Sequence, residues 1–86
     1  MTAALPLRVM VEDVWNEVHL QLPSDTAVGE IKRQALLASH VTEDPAGYLL
    51  KFRGAELSEE SRSAADSGLV PNGALIVLAR RRRPVR

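Results

Sequence analysis

The segment Glu17-Val18-His19-Leu20-Gln21-Leu22-Pro23-Ser24-Asp25-Thr26-Ala27-Val28-Gly29-Glu30-Ile31-Lys32 contains a change of period that decides the fold. In its first six residues Val18, Leu20 and Leu22 alternate with Glu17, His19 and Gln21, the period of two of a strand with one buried face. Pro23-Ser24-Asp25-Thr26 ends that strand and offers cap chemistry, since an Asp or Thr oxygen accepts from the free N–H groups of a first helical turn. Beyond it Val28, Ile31, Ala35 and Ala38 recur at intervals of three and four. Leu36 and Leu37 widen this stripe, and Glu30, Lys32, Arg33 and Gln34 fall outside it, as in an amphipathic helix. Gly29 weakens such a helix by roughly 1 kcal/mol relative to Ala, so packing must hold it. The helix is expected to end near Ser39-His40.

Upstream, Leu7, Val9 and Val11 alternate with Arg8 and Met10, a strand that pairs with Glu17–Leu22 across the polar turn Glu12-Asp13 as a hairpin. Downstream of the polar run Thr42-Glu43-Asp44-Pro45, Tyr48–Phe52 reads as a third strand, closed by the turn Arg53-Gly54-Ala55-Glu56. A polar loop follows, then a tight corner at Asp66-Ser67-Gly68-Leu69 and a turn at Pro71-Asn72-Gly73. The last strand, Ala74 to Ala79, turns Leu75, Val77 and Ala79 inward. Strand, strand, helix, strand, strand is an α+β β-grasp, a ββαββ mixed sheet packed on one helix. Val9, Val11, Leu20, Leu22, Phe52, Leu75 and Val77 should gather over Val28 and Ile31.

Composition limits what this domain can do. The 86 residues hold one core, and a chain of this size buries only about 60% of the surface its unfolded form exposes. Cysteine is absent, which removes disulfides, thiolate nucleophiles and cysteine-bearing zinc sites. No run of about 18 apolar residues and no signal-like N-terminus occur, so the expected location is cytoplasmic. His19 and His40 have no third ligand spaced to join them in a metal site. The carboxylate pairs Glu12-Asp13, Glu43-Asp44 and Glu59-Glu60 fall in loops, where solvated turns are the ordinary outcome. There is no phosphate-binding loop and no nucleophile–base arrangement. The chain is expected not to be an enzyme and to need no cofactor, metal or small-molecule substrate.

Residues 1–79 carry six basic side chains against eleven acidic ones, a balance of −5, and the last seven residues carry five arginines and no acid. The boundaries expected are a flexible stretch 1–6, a folded domain 7–80 and a basic, disordered tail 81–86. Arg80, Arg81, Arg82, Arg83 and Arg86 suggest nucleic acid or an anionic membrane as a partner, with a salt slope of at most about −0.9 per phosphate neutralised. The acidic body opposes that approach, no aromatic is interleaved to stack on bases, and Pro84 stops a helix. A further reading makes the arginines the start of a linker in a longer chain.

From Leu7 to Arg80 the sequence resembles the ubiquitin-like superfamily. The resemblance lies in Leu22-Pro-Ser-Asp-Thr-Ala-Val28, in Leu50-Lys-Phe-Arg-Gly54 with Leu57, and in Asp66-Ser-Gly-Leu-Val-Pro-Asn-Gly73. Conjugated members and sulfur carriers end in Gly-Gly, whereas this sequence ends Arg83-Pro84-Val85-Arg86 and contains no Gly-Gly pair, so conjugation and thiocarboxylate chemistry are not expected. Ubiquitin offers its receptors a shallow apolar patch on the outer sheet face. By position its central isoleucine falls on Lys51 and a flanking arginine on Leu49. The outward side here keeps Ile76 and Leu78 on the last strand and Met10 on the first. The resemblance implies a protein-interaction module that binds through Met10, Leu49, Lys51, Ile76 and Leu78. The spacing of Leu22 and Val28, with Gly68–Gly73, also resembles the bacterial YukD/EsaB ubiquitin-like proteins and the N-terminal domain of EccD. That similarity implies an adaptor accessory to type VII-like secretion, with an ATPase or a membrane component as its protein partner. Trp15, beside the first turn, either covers the end of the core or serves recognition.

Overall fold

The structure is a computed structural model and describes residues 4–42 and 44–79, apart from the side chain of Asp13. Strand β1 spans Ala4–Val11 and pairs antiparallel with β2, Asn16–Pro23, so that Leu5, Leu7 and Val9 lie opposite Leu22, Leu20 and Val18. A one-residue slip would carry every one of these side chains to the solvent face, which is why the alternating pattern fixes the register. β1 starts at Ala4, so Ala4–Pro6, expected to lie outside the domain, belong to the sheet, and Leu5 enters the core. The connection is a 3-10 turn, Glu12–Val14, closed by Trp15 in the left-handed region at φ 49°.

Helix α1, Val28–Ala38, lies on one sheet face. It buries Val28, Ile31, Lys32, Ala35, Leu36 and Ser39, the i, i+3, i+4, i+7, i+8, i+11 stripe of a helix resting on a sheet. Two expectations fail here. Leu37 and Ala38 belong to the exposed side, because the buried stripe is set by Val28 and Ile31 and runs through Lys32 instead. The N-terminus is also not capped by Asp25 or Thr26: the N-cap is Ala27, without a side-chain hydrogen bond. Its free amides are satisfied from far along the chain, Val28 N–H donating to the Arg62 carbonyl and Gly29 N–H to the Glu60 carbonyl, each at 2.9 Å. A Cβ on residue 29 would sit 3.2 Å from the Glu60 Cβ, so glycine lets the loop approach this closely. The C-terminus forms a Schellman motif, with His40 N–H bonded to Leu37 O, Val41 N–H to Leu36 O, and His40 at φ 61°.

After a 3-10 turn at Pro45–Gly47, whose N-cap Asp44 accepts from Ala46 N–H, come β3, Tyr48–Phe52, and β4, Ala55–Glu56. The turn expected over four residues is a two-residue hairpin, Arg53 and Gly54 both at positive φ, and Ala55–Glu56 pairs with β3. The final strand β5, Gly73–Ala79, runs parallel to β1 and antiparallel to β3. The sheet order is β2-β1-β5-β3-β4, with β5 inserted between the two hairpins. Val9, Val11, Phe52, Leu75 and Val77 are buried with Val28 and Ile31, and Leu20 and Leu22 pack against them. The nine residues expected to share one interior do so.

Candidate interaction face

With α1 on one side of the sheet, the opposite side is left to the other half of each alternation. Register places its residues in rows. Met10 on β1 lies opposite Ile76 on β5, and Ile76 opposite Lys51 on β3. Glu17 on β2 continues this row beyond Met10, and Glu56 on β4 continues it beyond Lys51. One step along, Leu78 lies opposite Leu49, and one step back, Arg8 lies between His19 and Ala74. All five residues expected to form a binding surface therefore share one face. Ile76 is its most open large apolar residue at 44% exposure, with Met10, Leu49, Lys51 and Leu78 half-buried around it.

Charged side chains frame this apolar centre. On the β2 side the Arg8 guanidinium lies 3.8 Å from the Glu17 carboxylate, with the His19 imidazole 4.0 Å from the same oxygen. On the β3 side Lys51 stands beside the Arg53 turn, where the Arg53 guanidinium sits 5.0 Å above the Phe52 ring. A depression of about 550 Å³ opens there, lined by Phe52, Arg53, Val70, Pro71, Asn72 and Ile76 among others. Sequence reasoning missed this hollow. Its one signal was Val70, an apolar residue in a turn, which the structure leaves 40% exposed. Gly73 forms its floor: a Cβ there would meet the Val70 carbonyl oxygen at 2.9 Å and the Phe52 ring at 3.2 Å.

The remaining candidates do not join the face. Trp15 is 74% exposed. His40 lies at the far end of α1, and among the described residues no group of three or more His, Asp or Glu side chains could hold a metal ion. Arg80, Arg81, Arg82, Arg83 and Arg86 lie outside the described residues. Among the described residues no helix is long and apolar enough to cross a membrane. Among the described residues the one strongly displaced acid is Glu30 on the exposed side of α1, where hydrogen bonds from Arg33 and then Gln34 lower its pKa from 4.5 to about 2.

Solved structures with the same architecture are numerous. The chain superposes on a ubiquitin from Caldiarchaeum subterraneum with a TM-score of 0.78, at 11% identity, over 95% of this chain and 100% of that one. The fold is that of ubiquitin. The ubiquitin-like domain from tubulin-binding cofactor B matches with a TM-score of 0.77 at 14% identity, over 93% of both chains. The C-terminal ubiquitin-like domain of mouse tubulin-specific chaperone e matches with a TM-score of 0.77 at 17% identity, over 98% of this chain and 94% of that one. No protein-family model and no curated protein matches the sequence. Within the ubiquitin fold, Lys51 stands on β3's outward side with Leu49, and Ile76 lies beside it on β5.

Proposed function

We propose that the chain is a protein-interaction module that docks a protein partner on the outer face of its sheet, with Ile76 as the anchor. The observation that supports this most directly is the register that lines up Met10, Ile76, Leu49 and Leu78 on the face α1 does not cover. An apolar centre with a charged frame is the usual anatomy of a docking surface, the centre supplying affinity and the frame orientation. The partner this face fits carries an apolar side chain for the hollow beside Ile76 and an acidic group for Lys51 and Arg53. An adaptor role needs no chemistry of its own, and no cofactor enters this reading.

On the resemblance of the Leu22–Val28 lead-in and of Gly68–Gly73, the partner class proposed is an ATPase or a membrane component of a type VII-like secretion apparatus, met on its cytoplasmic side. The test is capture of partners from a native-host lysate with the wild-type chain and with Ile76→Glu. Ile76 is open enough that the variant folds, which circular dichroism checks. A partner held by the wild type and released by Ile76→Glu supports the reading; equal capture by both removes the sheet face.

A further inference from the structure

The row that crosses the outer face reads, strand by strand, Glu17 on β2, Met10 on β1, Ile76 on β5 and Lys51 on β3. Its order is acid, apolar, apolar, base, which is complementary to its own reversal. We infer that this face closes on a second copy of the chain, about a two-fold axis running along the strands midway between β1 and β5. Such an axis sets β1 over β5 of the second copy and β2 over β3. Met10 then meets Ile76 and Glu17 meets Lys51, each contact made twice, as an isologous interface requires. β1 and β5 are parallel, and rotation about the strand direction preserves their sense, so the facing strands pack in the aligned manner of sheet sandwiches, about 10 Å apart. That gap suits the combined reach of a glutamate and a lysine. Lys51 comes to lie between Glu56 of its own chain and Glu17 of the other. In the neighbouring row Arg8, already 3.8 Å from Glu17, faces the small Ala74, which leaves space for its stem.

The formal net charge of the whole chain is zero, the −5 of residues 1–79 being offset by the five arginines that follow. With strands about 4.8 Å apart, the paired area is four strands wide and some 15 Å across, at the small end of specific interfaces, so association is weak, micromolar or above. The inference does not rest on partner docking. Where both hold, the second copy covers the face until a partner displaces it.

Sedimentation velocity of the full chain at rising concentration tests it. The weight-average mass of the wild type climbs toward twice the monomer's. Glu17→Lys and Lys51→Glu, both on the solvent side of the sheet and checked for folding by circular dichroism, each weaken association about tenfold or more by opposing like charges. An equimolar mixture of the two variants associates again, because each then supplies the charge the other lacks. A wild type that stays monomeric up to about 1 mM, the top of the range in which such small interfaces associate, overturns the inference. So does association that neither reversal weakens, or a mixture no better than its components.

Discussion

Lys32 shows how far one side chain can depart from what its polarity suggests. Its place in the helix stripe is a core position, and it is 2% exposed, with Nζ donating to the Tyr48 carbonyl and to the Glu60 carboxylate. The aliphatic stem fills space between α1 and β3 while the ammonium ties α1 to the loop that also satisfies its first amides. Removing the ammonium leaves the Tyr48 carbonyl without that donor, whereas Glu60, 36% exposed, recovers water. Lys32→Met, which keeps the stem, should therefore cost about 1–2 kcal/mol. Glu60→Gln, whose amide oxygen still accepts, should cost under about 1 kcal/mol. Urea midpoints with unchanged m-values measure both, and a Lys32→Met variant as stable as the wild type contradicts the assignment. His40 is a second departure. It holds φ 61° at the position after the helix where glycine is normally found. His40→Gly should raise stability by about 0.5–1 kcal/mol, and a loss of stability would show that the imidazole makes a contact worth more than the strain.

α1 is held by two different means. Its inner stripe is packed on the sheet, and its outer side carries Glu30, Arg33 and Gln34, joined through hydrogen bonds to the Glu30 carboxylate. Glu30 is in the first helical turn, where a negative charge also complements the helix dipole. Its folded pKa lies below the ordinary carboxyl value, so its contribution to stability is present above pH 4.5 and is lost as pH falls through about 2. Glu30→Gln should lower the thermal midpoint near neutral pH, by an amount that shrinks steadily as the pH falls toward 2. A difference that does not shrink on acidification contradicts this. Four of the five strands are legible because their patterns are local: Leu7, Val9 and Val11, or Leu75 and Val77, announce a buried face within a few residues. What was misread depends on distant partners. Glu60 reaches Lys32 across 28 residues, and the same loop replaces the cap that Asp25 and Thr26 were expected to supply. β4 is two residues long, too short for any period to show.

The candidate face was partly legible for the same reason. Alternation alone puts Met10, Leu49, Lys51, Ile76 and Leu78 on the outward side of their strands, but no pattern within a strand says which of them become neighbours. Insertion of β5 between β1 and β3 decides that, bringing Met10, Ile76 and Lys51 into one row and opening the hollow beside Val70. The result is a sheet whose covered side gives stability and whose open side is the surface proposed for a partner. Chemical-shift mapping on the isotopically labelled chain, titrated with the partner captured from the host, tests this most directly. The account predicts amide shifts concentrated at Met10, Leu49, Lys51, Ala74, Ile76 and Leu78. Shifts confined instead to the outer side of α1, around Arg33, Leu37 and His40, with the sheet face unmoved, would contradict it.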